Sequence, residues 1–247
     1  MKKPIIEIKK VYKSYNGLQV LQGVDLRIKQ GETITILGGS GTGKSVLLKL
    51  ITGLEKPDQG AIRINAHNIV PLTEDELVPI RRKIGMLFQG AALFDSLSAG
   101  ENVAYPIREH FHLSEEEIGG IVGEKLGMVG LEGIEEKMPA ELSGGMKKRV
   151  GLARAIAIDP EIILYDEPTT GLDPANTRRI NQLIVELQRI LKVTSIVVTH
   201  DLASAYEVTD RLALLYQGRI AMTGTKEEFK TSQMQEVQEF IAKKDVE

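Results

Sequence analysis

Leu37 is followed by Gly38-Gly39-Ser40-Gly41-Thr42-Gly43-Lys44-Ser45: four glycines within six positions, then a lysine and a hydroxyl. Glycine costs backbone entropy wherever it stands, so this density needs a cause. The spacing fits G-x-x-x-x-G-K-[ST], with Gly38, Gly43, Lys44 and Ser45 at the fixed places. Such a loop wraps a phosphate chain in backbone N–H groups at a range that side chains would block, and some of its φ angles must be positive. Lys44 is placed to reach the β- and γ-phosphates, and Ser45 to ligate Mg2+.

Two further stretches could act on the same kind of ligand. Ile162-Ile163-Leu164-Tyr165 reads as a buried strand ending in Asp166 and Glu167. One carboxylate can hold the Mg2+ shell while its neighbour, on a turning chain, activates a water. Read without a phosphate loop, the pair would be an ordinary cap at a strand–loop junction. Leu142-Ser143-Gly144-Gly145-Met146 offers a second glycine-rich helix start, with Ser143 and main-chain N–H groups as a further anion site. Lys147 and Lys148, which follow, read as a solvated helix face.

The elements that must position these residues are legible in outline. Val24, Leu26 and Ile28 alternate with polar residues as in a half-buried strand, and Gln30-Gly31 turns the chain. Thr33 to Leu37 is a second strand leading into the glycine loop, and Val46 to Ile51 is a buried helix stopped by Gly53. Ile84 to Phe88 and Val193 to Thr199 are apolar strands. Ser114-Glu115-Glu116-Glu117 is a capping box, although Gly119, Gly120 and Gly123 weaken the helix it opens. Asp173-Pro174 caps a helix carrying Ile180, Leu183, Ile184, Leu187 and Leu191 at helical spacing. Leu212 to Tyr216 and Arg219 to Met222 form a hairpin about Gln217-Gly218, and Thr225 caps a last helix. Alternating helices and apolar strands imply an open, mostly parallel sheet. The stretch from about residue 91 to 158, without clear strands, reads as a helical insertion.

Bulk composition sets limits. The 247 residues, 42% hydrophobic and 26% charged with a net charge of -3, suit one large α/β domain and give no sign of a nucleic-acid coat protein. There is no cysteine, hence no disulfide or thiolate metal site. The start, Met1-Lys2-Lys3-Pro4, has no apolar run behind it, and no apolar run approaches the roughly 18 residues of a membrane span. The expectation is a soluble cytoplasmic chain that meets a membrane only through a partner.

Taken in order, these motifs resemble the nucleotide-binding subunit of ABC transporters over essentially the whole chain. Gly38 to Ser45 resembles the Walker A loop, Gln89 stands at the Q-loop position, Leu142 to Met146 resembles the signature, with methionine where glutamine is commoner, and Ile162 to Asp166 resembles Walker B. Glu167 takes the catalytic-base position, Gly171-Leu172-Asp173 resembles the D-loop, and His200 matches the switch histidine. Tyr15 lies where an aromatic stacks on adenine; on its own it would be a surface tyrosine before the Asn16-Gly17 turn. His67, His110 and His112 have no such context and read as surface residues.

The resemblance implies a P-loop NTPase of the ABC ATPase type: a mostly parallel core (about 1–90 and 159–247) with an N-terminal antiparallel β-subdomain and an inserted helical subdomain (about 91–158). It implies ATP with Mg2+ held by Ser45, Gln89 and Asp166, and catalysis by Glu167 with Gln89 and His200. It also implies a head-to-tail dimer in which Ser143, Gly144 and Gly145 face the partner's nucleotide. The run Gly85 to His110, GMLFQGAALFDSLSAGENVAYPIREH, is most similar to ATPases of Mla/Mce-type phospholipid transporters. That similarity implies an integral-membrane permease docking near Leu93, Phe94 and Leu97, a lipid-binding Mce-type protein, no nucleic acid, and a place on the cytoplasmic face of the inner membrane. An importer ATPase for amino acids or another small polar solute is the alternative, followed by a non-transport ABC ATPase acting on ribosomes or DNA.

Overall fold

The computed structural model describes residues 4–244, which form two compact units. One comprises the chain up to Arg81 and again from Thr194 onward; the other is Arg82–Val193.

The first unit opens with two long strands, β1 (Pro4–Tyr15) and β2 (Leu18–Lys29), then β3 (Thr33–Leu37), α1 (Lys44–Ile51), β4 (Gln59–Ile64), β5 (His67–Asn68) and α2 (Glu74–Arg81). β2, β1, β4 and β5 form an antiparallel sheet in that order. In β2, Val24, Leu26 and Ile28 are buried and Asp25, Arg27 and Lys29 exposed, the period-2 pattern of a strand with one wet face.

The second unit holds β6 (Ile84–Leu87), α3 (Ala99–His110), α4 (Glu115–Met128), α5 (Gly144–Ala155), β7 (Ile162–Asp166) and α6 (Pro174–Leu191), with a 3-10 turn at Pro139–Glu141. β6 and β7 pair in parallel, while α3, α4 and α5 pack on one another. Ser114 and Glu117 make the reciprocal capping bonds that open α4. The three glycines do not break this 14-residue helix, because Ile118, Val122 and Leu126 recur every fourth residue and bury one face.

The chain then returns to the first unit with β8 (Thr194–Thr199), α7 (Leu202–Val208), β9 (Arg211–Tyr216), β10 (Arg219–Gly224), α8 (Lys226–Thr231) and α9 (Gln235–Lys244). β3 is parallel to both β8 and β9, so every residue of Thr33–Leu37 is buried, as strands covered on both faces require. The helix capped by Thr225 is α8, and it is not the last. The helix after it, α9, brings Val237 and Phe240 into the cluster of Leu37, Leu212, Leu214 and Phe229. Burying side chains of this size contributes roughly 1.5–3 kcal/mol each.

Asn102, on α3 and fully buried, organises the loop between β6 and that helix. Its amide nitrogen donates to the carbonyls of Phe94, Leu97 and Ser98 at 3.0–3.1 Å, and its oxygen accepts from Phe94 N–H at 2.9 Å. Arg154, on α5, donates to the carbonyls of Ala91 and Ala92, both at 2.7 Å and both in the left-handed region. Removing one partner from a buried polar network leaves the others unsatisfied. Asn102→Ala should therefore destabilise the chain by about 2–3 kcal/mol. Urea denaturation would read this as a lower midpoint with little change in slope; a shift within error would show that the loop holds itself.

Candidate functional site

The glycine loop joins β3 to α1, and its conformation follows from its glycines. Gly41 and Gly43 have φ of 75° and 100°. A Cβ at Gly43 would also meet Leu21 and Val20 side chains at 2.9 Å, so glycine is needed there for backbone and for space. α1 starts at Lys44 with no side-chain cap at Gly43, which leaves its first turn to main-chain N–H groups and the positive end of the dipole. Lys44 folds back over the loop, 6% exposed, and its ammonium donates to the carbonyls of Gly38 at 2.8 Å and Gly39 at 2.9 Å. Thr42 Oγ1 also donates to Gly39 O, at 2.9 Å. Ser40 and Ser45 stand exposed. Charged phosphate oxygens are stronger acceptors for an ammonium than neutral carbonyls, so this pocket is poised for an anion.

Tyr15, in the same unit, is 37% exposed, and its hydroxyl donates to Glu55. Partial burial, then that bond and the Glu55 and Asp58 charges, push its phenol up to about 12, while Tyr15 holds Glu55 below the usual carboxylate range. The Lys13 ammonium lies 5.1 Å from the ring centroid. Asn16 and Gly17, with φ of 48° and 84°, make the turn that follows. His200 is half-buried immediately after β8, and Asp201 caps α7 by accepting from Ala203 N–H at 3.0 Å.

In the second unit, Asp166 and Glu167 are 9% and 7% exposed at the end of β7. Glu167 has φ 46°, a conformation a bulky residue adopts only where its surroundings impose it. Thr170 Oγ1 donates to Glu167 Oε2 at 3.2 Å. Gln89, just past β6, is exposed. Ser143 caps α5 by accepting from Met146 N–H at 3.3 Å; a hydroxyl so used keeps its own proton to donate. A Cβ on Gly145 would lie 2.3 Å from Asn176 Oδ1, so only glycine allows α6 this close. Asp173 caps α6 through Ala175 N–H at 2.9 Å and Asn176 N–H at 3.0 Å, and the Asn176 N–H above all holds its carboxyl low.

Lys148 corrects the solvated-face reading. It is 5% exposed; its ammonium donates to the carbonyl of Gln89 and, at 3.3 Å, to that of Glu167. Burial lowers its pKa, and the Asp166 and Glu167 charges oppose that shift. The signal was present in the spacing: Gly145, Lys148, Leu152 and Ala155 share the buried face of α5. Of the histidines set aside, His67 and His112 are exposed and His110 half-buried. No three His, Cys, Asp or Glu among the described residues cluster as a metal cage. No helix among them is long and apolar enough to cross a membrane.

The family model described as ABC transporter matches residues 21–170. The chain is 44% identical to the "Probable ribonucleotide transport ATP-binding protein mkl" of Mycobacterium leprae, over 96% of the chain and 68% of that relative. It is 42% identical to the "Intermembrane phospholipid transport system ATP-binding protein MlaF" of Haemophilus influenzae, over 98% of the chain and 91% of that relative. The solved dimeric ATP-binding cassette MJ0796, in a post-hydrolysis state bound to ADP and Pi, superposes with a TM-score of 0.83 at 38% identity, covering 89% of this chain and 98% of that one. The chain belongs to the ABC transporter family, with the fold of its ATP-binding cassettes.

Proposed function

We propose that this chain is the ATPase subunit that drives an ABC transporter moving phospholipid between inner and outer membranes. The glycine loop, with its buried lysine at a helix start, carries the ATPase reading. The two-way similarity to MlaF, nearly the whole of both chains, supports the lipid reading over the ribonucleotide carrier named for the mycobacterial relative.

The reaction is hydrolysis of ATP to ADP and phosphate, and the residues act chiefly by position and charge. Main-chain N–H groups of Gly38, Gly39, Ser40, Gly41, Thr42 and Gly43 take the phosphate oxygens, and Lys44 exchanges carbonyls for the β- and γ-phosphates. Glu167 accepts the proton of the attacking water, while Gln89 and His200 sense the γ-phosphate. Tyr15 stacks on adenine. The hydroxyl of Ser45, the amide oxygen of Gln89 and the carboxylate of Asp166 are hard oxygen donors suited to Mg2+, which favours few protein ligands beside phosphates and water. When bound, Mg2+ offsets charge on the transferring phosphate. Ser143, Gly144, Gly145 and Asp173 serve a second copy of the chain in a head-to-tail dimer. The whole is one ABC ATPase domain, peripheral on the cytoplasmic face of the inner membrane, with a permease and an Mce-type lipid-binding protein as partners.

Phe94 supports the permease contact. It is 43% exposed, its ring 4.9 Å from Tyr105, on a loop that Asn102 and Arg154 hold from beneath. Leu93 and Leu97 beside it are half-buried. A central aromatic anchor contributes about 2 kcal/mol or more to docking, roughly a thirtyfold change in affinity. Phe94→Asp should fold, bind ATP and lose the permease by about that factor in a pull-down. Normal docking by the folded variant would place the contact elsewhere.

The function itself is tested in vesicles holding the chain and its permease. ATP should drive transfer of a fluorescent phospholipid, and Glu167→Gln should cut turnover by about 10² to 10⁴-fold with nucleotide binding intact. Near-normal turnover would refute the role of Glu167, and ATP-driven movement of an amino acid without lipid would assign the chain to an importer.

A further inference from the structure

Lys148 is in excess of the machinery just described. A buried ammonium is costly unless hydrogen-bonded, and a lysine with only a packing role would be replaced at no loss by an apolar side chain of its length. Here the two acceptors are specific. One is the carbonyl of Gln89, the other the carbonyl of Glu167 at 3.3 Å. They lie 78 residues apart in sequence, on the segments that follow β6 and β7. One nitrogen atom thus joins the main chain of the glutamine to that of the carboxylate pair.

We propose that Lys148 is a positioning residue for ATP hydrolysis: its ammonium ties the Gln89 and Glu167 carbonyls together and so fixes the two segments in register. The Glu167 backbone gives the tie a purpose. Its φ of 46° is sparsely populated and persists only where neighbours over-determine it. The Glu167 carbonyl takes Thr170 N–H at 3.3 Å as well as Lys148, so the unusual turn is held from two sides. The same helix reaches carbonyls two and three residues past Gln89 through Arg154, at Ala91 and Ala92. α5 therefore grips the run from Gln89 to Ala92 at three points while holding Glu167 at a fourth. A shift of the loop bearing Phe94 would reach the carboxylate through this helix.

The inference rests on the ATPase reading, and its test separates the two. Steady-state hydrolysis is measured on the complex with its permease for wild type, Lys148→Met and Lys148→Arg, each normalised to its folded fraction. Lys148→Met should lower kcat at least tenfold with KM for ATP within twofold, because substrate binding by the glycine loop is untouched. Lys148→Arg, which keeps charge and donors, should recover most of that loss. A folded Lys148→Met with wild-type kcat, a rise in KM alone, or an arginine no better than methionine would overturn the role. Should Lys148→Met fail to fold, nitrogen-15 NMR of the wild type decides: a tied ammonium gives an Nζ signal, absent in Lys148→Arg, that exchanges slowly, and fast exchange would contradict the tie. A wild-type complex that hydrolyses no ATP would instead refute the functional reading.

Discussion

An ammonium taken out of water must find oxygen, and the structure depends on how that need is met. Lys44 and Lys148 are each about nine-tenths or more buried, and both donate to main-chain carbonyls: Gly38 and Gly39 for the first, Gln89 and Glu167 for the second. A carbonyl satisfies the N–H donors without cancelling the charge. Lys125 takes carboxylate oxygens. Equally buried, it sits 2.7 Å from the Asp159 carboxylate and 3.1 Å from Glu124, which neutralise it in a structural pair. Lys44 and Lys148 both stand near the start of a helix whose N-terminal sequence is rich in glycine.

The architecture around each lysine follows from that demand. At Lys44, glycine at position 43 supplies the positive φ and the space under Val20 and Leu21, while β3, buried from Thr33 to Leu37 between two parallel neighbours, gives the loop a rigid base. At Lys148, the helix must approach closely enough for one side chain to reach two carbonyls, and Gly151 allows this on the β6 side: a Cβ there would lie 3.0 Å from Leu87 and 3.3 Å from Ala91. Glycine serves conformation in the first case and proximity in the second.

What was legible in the sequence was local. The strand into the glycine loop, the capping box at Ser114, the Asp173-Pro174 helix start and the hairpin at Gln217-Gly218 are each set by a few adjacent residues and stand where the spacing put them. The antiparallel sheet of β1, β2 and β4 came from family resemblance. The strand β1 mixes buried Ile6, Ile8 and Val11 with a lysine doublet, and its pairing is shifted by a bulge at Lys10, which blurs the alternation. Lys148 has the charge of a solvated residue but the helical spacing of a buried one, and its partners are supplied by segments that lie elsewhere in the chain. Asn102 gave no local sign at all: its acceptors are carbonyls of a loop whose shape it helps to set.

The central claim, a buried lysine that gives up carbonyls for phosphates, is tested most directly by calorimetry with Mg2+ and a non-hydrolysable ATP analogue. Wild type should bind, and Lys44→Ala should weaken binding about ten- to hundredfold, the loss of charge-assisted hydrogen bonds of roughly 1.5–3 kcal/mol. Equal affinity of the two proteins would contradict the account, since Lys44 would then have no part in holding the nucleotide.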